Sequence, residues 1–331
     1  MLGTFAAIKA RASRRIFTAL LVGAAAVLAL PAHSQQYPTK VIRLVVPFGA
    51  GDPPDIYART LADRLSPLLG QQVIVDNKPG ASGAIGAVEV ARAAPDGYTL
   101  LYASAAMMGI LPQLRKTAYD PAKDFEPVGR VISSLLVVTV NKAFPAATWP
   151  DFVAEVKRYP GKYSIISSGD GTFLHLAAVQ LQSATGMQLL HVPYKSFGQG
   201  VIDLHAGLVN VTMEMSAVLQ HVRAGNMKSL LVLDDKPSPE LPGVPTLKEY
   251  PVPFDLKVWF GIVVPAGTPR TVVERLEAAV AKVVTSDPAY REKLPPGTYP
   301  SFAGRNDFAA LMAADRTTYG ALIKRLDLKL E

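Results

Sequence analysis

The chain has 331 residues, no cysteine, and 34 basic against 27 acidic side chains. Because cysteine is absent, folds that depend on disulfides and lipid anchors on a cysteine are excluded. Hydrophobic residues make up 49% of the sequence, which is enough for one large core or two packed lobes. No basic block beyond the first 34 residues indicates nucleic-acid binding.

Residues 1–34 have the pattern of an export signal. Four basic residues precede an apolar run at 16–30, and Ala32-His33-Ser34 offers small side chains for cleavage. This run is short against the roughly 20 residues that span a bilayer, which favours a cleaved signal over a membrane anchor. Arg14 and Arg15 also resemble the twin-arginine export pattern. We therefore expect an exported protein with 30 basic and 27 acidic side chains.

After the signal, short apolar strands alternate with helical segments. Strands are predicted at 41–46, 73–75 and 99–103, with helices at 55–69 and around 85–91. This order of β-α-β-α-β predicts a parallel sheet with helices on both faces. In such sheets ligands bind at the carboxyl ends of the strands.

A second αβ region is predicted to begin near Val138. Strands are predicted at 163–167, 189–192, 209–213 and 229–233, with helices between them, and a proline-rich surface segment follows at 234–246. One more buried strand and three helices, near 269–285, 288–294 and 306–326, complete the chain. Because two αβ regions exceed the usual size of one core, a cleft between them is the expected ligand site.

Five turns lead from a predicted strand into a helix. At each, the first N–H groups of the helix have no intrahelical partner and the helix dipole is positive. A single such turn is typical of ordinary helix capping, but five in the same sense indicate an anion site. The phosphate motif GxxxxGK[ST] is absent and GASGAIG has the wrong spacing for a dinucleotide site, which favours a carboxylate. The five turns are 48–55, 77–86, 104–106, 168–172 and 194–196.

Six segments carry a family resemblance: YPTKVIRLVVPF, VDNKPGASGAIGAVEVARAAPDGYTLL, YDPAKDFEPVGRV, PGKYSIISSGDGTFLHL, HVPYKS and WFGIVVPAGTP. On these segments the chain resembles the substrate-binding proteins of tripartite tricarboxylate transporters, the Bug or TctC family. The resemblance implies an α/β, two-lobed periplasmic binding protein fold of type II (Venus flytrap), each lobe a mainly parallel sheet flanked by helices. It implies lobe 1 at 37–137 plus 257–331 and lobe 2 at 138–256.

The same resemblance implies a function. We expect a monomeric receptor in the periplasm that closes on a small organic carboxylate and delivers it to the membrane subunits of a transporter, without a cofactor or a metal. The turns and the resemblance together predict these ligand-binding residues: Phe48, Gly49, Ala50, Asp55, Ser82, Gly83, Ser104, Ser168, Gly171, Thr172, His175, Tyr194 and Glu214.

The first turn departs from the family pattern. In relatives it reads approximately P-F-A-P-G-G-G-T-D, and its amides bind one ligand carboxylate, whereas this chain has Gly51, Asp52, Pro53 and Pro54 at the corresponding positions. If Asp52 is the helix N-cap, both prolines remove N–H donors and Asp52 adds negative charge. Two interpretations stay open: a well-formed cap, or a ligand with fewer negative charges.

Two further side chains allow two interpretations each. Glu214 could accept a hydrogen bond from a ligand amine or hydroxyl, or it could cap a helix. His175 fits a capping or packing role better than that of a catalytic base.

An exported hydrolase is the rival class, and a receptor that serves a sensor system is a further alternative. GxSxG, SxxK and HExxH are absent from the sequence, so we expect no enzyme.

Overall fold

The computed structural model describes residues 37–214, 216–254 and 256–328. The predicted export signal lies outside this range. From Lys40 onward the chain forms one compact unit. None of the described helices combines the length with the apolar character that a membrane span requires.

Most elements alternate as the sequence predicts. In chain order the strands are β1 (Ile42–Val46), β2 (Val73–Asn77), β3 (Thr99–Ser104), β4 (Phe125–Ser134), β5 (Leu136–Asn141), β6 (Ser164–Ser167), β7 (Leu190–Pro193), β8 (Val211–Glu214), β9 (Met227–Val232), β10 (Val258–Pro265) and β11 (Thr298–Gly304). The helices are α1 (Pro53–Leu69), α2 (Ala84–Ala91), α3 (Leu111–Leu114), α4 (Trp149–Arg158), α5 (Phe173–Thr185), α6 (Phe197–Ala206), α7 (Leu219–Arg223), α8 (Arg270–Ser286), α9 (Pro288–Lys293) and α10 (Arg305–Arg325). A 3-10 turn at Ala81–Gly83 precedes α2, and a π-helical turn at Ala106–Ile110 precedes α3. Three strands, β4, β5 and β11, were not predicted, and among the described residues no helix separates β4 from β5 or β9 from β10.

The strands form two sheets. One has the order β11-β4-β10-β3-β1-β2 and the other the order β7-β6-β8-β5-β9. We call the part of the chain that builds the first sheet lobe 1 and the part that builds the second sheet lobe 2. The chain passes from lobe 1 to lobe 2 between β4 and β5, and returns between β9 and β10. The α/β class and the two-lobed fold are thereby confirmed.

Both sheets are mixed, and this corrects the mainly parallel sheets that the family resemblance implied. Strand β1 is parallel to β2 and β3, and β6 is parallel to β7 and β8, as the βαβ alternation predicts. Strands β10 and β11 are antiparallel to their neighbours, and so is β5. Three of the antiparallel strands, β4, β5 and β10, adjoin the crossings between the lobes, where no crossover helix imposes a parallel direction.

Helix α1 positions the first turn. Its buried face contains Tyr57, Leu61 and Leu65, which lie one helical turn apart and are at most 1% exposed. Full burial of such side chains stabilises the fold by about 1.5–3 kcal/mol each. The helix ends at Gly70, whose left-handed φ of 71° lets its N–H bond to the Ser66 carbonyl. The start of α1 is thus fixed against the sheet by packing.

Candidate ligand-binding site

The first turn joins β1 to α1 and offers no free N–H at the helix start. Asp52 is the N-cap, with φ −67° and ψ 154°, and prolines occupy the first two helical positions. The N–H groups of Asp55 and Ile56 both donate to the Asp52 carbonyl, at 2.9 and 3.2 Å. Since proline has no N–H, the first four residues of α1 leave no backbone donor for a ligand.

The remaining groups of the first turn are largely committed to its own carboxylates. The Gly49 N–H donates to Asp52 Oδ2 at 3.1 Å, and the Gly51 N–H donates to Asp55 Oδ2 at 2.9 Å. Arg59 Nε and Asn77 Nδ2 also donate to Asp55, at 3.0 and 2.8 Å. The buried Asp55 therefore organises this turn.

The two carboxylates differ in electrostatic environment. Burial tends to raise the pKa of Asp55, but the hydrogen bonds from Arg59, Gly51 and Asn77 hold this pKa below its ordinary value. Burial raises the pKa of Asp52, and the nearby charge of Asp55 adds to this effect while the Gly49 hydrogen bond opposes it. Asp52 thus carries the less stabilised charge of the two.

The second turn has four successive residues with positive φ. Gly80 has φ 122°, Ala81 49°, Ser82 56° and Gly83 91°. Alanine and serine adopt this region at a cost of about 1–3 kcal/mol each, which the surroundings must offset. Arg115 Nη2 donates to the Ala81 carbonyl at 2.7 Å, and the Gly83 N–H donates to the Gly80 carbonyl at 3.0 Å.

Ser82 connects this turn to lobe 2. Its Oγ donates to the carbonyl of Asp170 in the fourth turn at 2.7 Å. The turns predicted from sequence at 77–86 and 168–172 therefore meet.

The fourth turn leads from β6 into α5 and is organised by hydrogen bonds to its own side chains. Thr172 is the N-cap, and its hydroxyl donates to the Gly169 carbonyl at 2.7 Å. The Gly171 N–H donates to His175 Nδ1 at 3.1 Å, which agrees with the capping interpretation of this histidine. The predicted Ser168 is exposed, whereas its neighbour Ser167 is buried and takes part in the network.

Ser167 and His191 are site residues that the sequence did not reveal. Ser167 Oγ lies 2.6 Å from His191 Nε2 and also accepts from the Gly169 N–H at 3.1 Å. The rings of His191 and His175 stack with centroids 4.1 Å apart and an angle of 1° between planes. Ser167 and His191 come together through the register of β6 with β7, which pairs Ile165 with His191. This register cannot be read from the sequence.

His175 presents a donor. Because its Nδ1 accepts from a backbone N–H, the neutral ring carries its proton on Nε2, and Nε2 has no hydrogen-bond partner among the residues that the structure describes. Burial lowers the pKa of His175 to about 4, the adjacent His191 adds to this effect, and Asp170 opposes it. The ring is therefore neutral near pH 7.

Asp170, His175 and His191 place possible metal ligands within 4.8 Å of one another. However, the lone pairs of an imidazole lie in the ring plane, and two parallel stacked rings do not direct them to one point. The Nδ1 of His175 is also occupied by the Gly171 N–H. This arrangement is unfavourable for a shared metal ion.

The other predicted residues make internal contacts. Ser104 Oγ accepts from the Met107 N–H at 3.4 Å, and the Tyr194 hydroxyl donates to Asp203 Oδ2 at 2.7 Å. Burial and the Asp203 contact raise the pKa of Tyr194 to about 12. Gly83 is the N-cap of α2.

Glu214 makes hydrogen bonds within the turn at 216–218 that precedes α7. Its carboxylate accepts from the N–H and the hydroxyl of Ser216 and from the Ala217 N–H, the last at 2.7 Å. Burial raises the pKa of Glu214, although these hydrogen bonds oppose the effect. Both oxygens therefore stabilise this turn, whereas the N-cap of α7 itself is Val218.

A second contact joins the lobes near the first turn. Tyr57 in α1, the helix that this turn begins, donates to Ser216 Oγ in lobe 2 at 2.8 Å. The first turn is also bonded to the strand that leads into the second turn, because Asn77 Nδ2 donates to the Phe48 carbonyl at 3.2 Å. The first and second turns follow the neighbouring parallel strands β1 and β2 at the same edge of the sheet.

Two αβ lobes that meet through turns at strand ends define a two-lobed binding protein. The chain belongs to the tripartite tricarboxylate transporter receptor family (TctC), whose family model matches residues 57–328. The resemblance seen in the sequence is thereby confirmed.

Relatives and solved structures agree with this assignment. The protein BugT of Bordetella pertussis is 31% identical over 315 residues, which are 93% of this chain and 96% of BugT. Rpa4515 of R. palustris with adipate matches with a TM-score of 0.83 and 30% identity, over 88% of this chain and 99% of that one. MatC (Rpa3494) from Rhodopseudomonas palustris with bound malate matches with a TM-score of 0.78 and 27% identity, over 87% and 100%.

Proposed function

We propose that this protein is a periplasmic solute receptor that binds a small organic carboxylate between its lobes and delivers it to the membrane subunits of a transporter. Its family supports the receptor role. Malate bound to MatC and adipate bound to Rpa4515 support a carboxylate as the ligand. The basic and apolar pattern of residues 1–34 supports export through a cleaved signal.

One observation in this chain carries the proposal: the second turn of lobe 1 meets the fourth turn of lobe 2 through the contact of Ser82 with Asp170. We infer that the ligand carboxylate binds beside this contact and accepts a hydrogen bond from His175 Nε2. In a site that is partly shielded from water, a neutral N–H donor can bind an anion although no positively charged side chain is buried beside it. The strained second turn contributes backbone to the same space.

We propose that the receptor acts as a monomer and that its lobes comprise 37–137 plus 257–331 and 138–256. The sheet membership of β4, β5, β9 and β10 supports these bounds to within a few residues. Closure is then a rotation of the lobes about the two connections between them.

A thermal-shift screen of organic acids, followed by calorimetry, tests the proposal. A carboxylate at 100 times its Kd should stabilise the receptor by about 2.7 kcal/mol. The variant His175→Gln should bind that carboxylate at least tenfold more weakly, since hydrogen bonds to charged groups contribute about 1.5–3 kcal/mol.

His205→Gln is the matched control, because His205 is exposed in the same lobe and should leave affinity unchanged. A screen in which malate, adipate and other carboxylates all fail to raise the melting temperature would contradict the proposal. Uptake by cells that lack the receptor gene, restored by the wild-type gene, tests delivery.

A further inference from the structure

We infer that the ligand carries an ammonium group besides its carboxylate, and that Asp52 in the first turn pairs with this ammonium group. The inference rests on the proposed function and names the class of ligand for the same cleft: an amino-carboxylate rather than a dicarboxylate.

The first step is that the first turn lacks what a carboxylate needs. Pro53 and Pro54 carry no N–H, and the N–H groups of Gly49 and Gly51 already donate to Asp52 and Asp55. A second ligand carboxylate at this turn would therefore meet two negative side chains and few free donors.

The second step is that Asp52 lacks a cation. Among the residues that the structure describes, no basic side chain lies within 4.0 Å of its carboxylate, and its one hydrogen-bond donor is the Gly49 N–H at 3.1 Å. The neighbouring Asp55, by contrast, has Arg59 at 3.0 Å. Partial burial makes the Asp52 charge less favourable than it is in water, and a cation supplied by the ligand would relieve that cost.

The third step is that helix capping does not account for the charge of Asp52. An N-cap side chain usually accepts from the second or third helical N–H. Here the second position is Pro54, and the N–H of Asp55 at the third already donates to the Asp52 carbonyl, so the Asp52 side chain makes no capping bond. An asparagine oxygen could accept from Gly49 equally well.

The fourth step is position. The first turn begins the helix whose Tyr57 contacts lobe 2. It also shares the edge of the parallel pair β1 and β2 with the second turn, whose Ser82 contacts lobe 2. His175 supplies a neutral donor on the lobe 2 side, whereas Asp52 supplies a negative charge on the lobe 1 side. This opposite polarity matches a molecule with a carboxylate at one end and an ammonium group at the other.

The test uses ligand pairs of equal length in which one carboxylate is replaced by an aminomethyl group: adipate with 6-aminohexanoate, glutarate with 5-aminopentanoate, and succinate with 4-aminobutanoate. The α-amino acids complete the panel. Calorimetry on the full receptor should show at least tenfold tighter binding of the amino-carboxylate in the pair that fits. Asp52→Asn, which keeps an acceptor for Gly49, should reduce this preference at least tenfold.

Asp63→Asn is the matched control, since Asp63 is exposed on the same helix, and it should leave the preference unchanged. Asp52→Ser provides a second neutral variant if Asp52→Asn does not fold. The inference is overturned if a dicarboxylate binds the wild type as tightly as its amino counterpart, or if neutral variants keep the wild-type preference. If the wild type and the variants bind none of these acids, the proposed function fails, and this inference fails with it.

Discussion

The first and fourth turns occupy equivalent places in the two lobes, each between a strand of a parallel pair and the helix that follows. They use their N–H groups in opposite ways. In the first turn, two glycine N–H groups donate to aspartates, and prolines remove two more donors. In the fourth turn, the Gly171 N–H donates to His175 and thereby fixes the ring proton on the other nitrogen.

The difference shows why a glycine-rich turn before a helix does not by itself indicate an anion site. What matters is how many donors remain after the protein's own acceptors are satisfied. By this measure the first turn is acidic and poor in donors, and the fourth turn keeps one neutral donor. The predictions below test this contrast, from the largest expected effect to the smallest.

Acidification should destabilise the fourth turn more than the first. The pKa of His175 is lowered to about 4 by burial and by His191, so the unfolded chain takes up a proton near pH 6.5 and the folded chain only near pH 4. The free energy of unfolding should therefore fall as the pH falls through this interval, by about 3 kcal/mol for this group. Urea unfolding at several pH values measures the slope.

His175→Gln should lose this part of the pH dependence, whereas His205→Gln should keep it. Asp52 should contribute a pH dependence of the opposite sign to the free energy of unfolding. Its pKa is raised, so the folded chain binds this proton more readily than the unfolded chain does. Equal pH slopes in the wild type and His175→Gln would show that the stacked histidines do not titrate in this way.

The sequence predicted the elements of this contrast better than their contacts. Because capping and proline effects are local, the sequence offered Asp52 as one possible N-cap, and the structure has this arrangement, although the helix begins at Pro53 and not at the predicted residue 55. Thr148 and Asp151, three residues apart, have a spacing typical of a helix N-terminus, and the Thr148 hydroxyl accepts from the Asp151 N–H at 3.3 Å. The βαβ alternation is also a local pattern, and it correctly predicted the two αβ regions.

Features that depend on distant pairing were not predictable. Strand β4 contains Pro127, which lies beside a register shift against β10, and β11 contains Pro300 at the edge of its sheet. Proline is tolerated in strands at such places, but the sequence pattern alone argues against a strand there. Likewise, the contact of Ser167 with His191 depends on the register of two strands that are separated by a helix.

Restoring donors to the first turn should make it resemble an anion site. The triple variant Asp52→Gly, Pro53→Gly, Pro54→Gly gains two N–H groups and loses a negative charge, so adipate or malate should bind about tenfold more tightly, which is about 1.4 kcal/mol. The double variant that keeps Asp52 should gain less, because an N-cap carboxylate would accept from the new N–H of residue 54.

Calorimetry measures both affinities. Pro288→Gly is the control, since Pro288 follows the N-cap Asp287 at the start of α9 and should weaken a helix start without altering ligand binding. If the triple variant folds and binds dicarboxylates no better than the wild type, the missing donors do not determine the ligand.

The contact between the second and fourth turns should contribute about 1 kcal/mol to closure, the usual net value of one hydrogen bond. Ser82→Ala removes the donor to Asp170 and keeps a residue with a side chain in the strained position. We therefore expect the population of open receptor to rise about fivefold. Because the chain has no cysteine, the variants Lys116→Cys and Lys195→Cys, both at exposed positions, can carry a spin label in each lobe.

Distance measurements between these labels report the open fraction without any ligand. Ser183→Ala, at an exposed position of α5, should leave the distances unchanged. Tyr57→Phe extends the comparison to the first turn, since it removes the bond to Ser216. If Tyr57→Phe opens the receptor and Ser82→Ala does not, the lobes are held together at the contact beside the first turn. In that case the backbone strain at Ala81 and Ser82 must be offset within lobe 1, by contacts such as that of Arg115 with the Ala81 carbonyl.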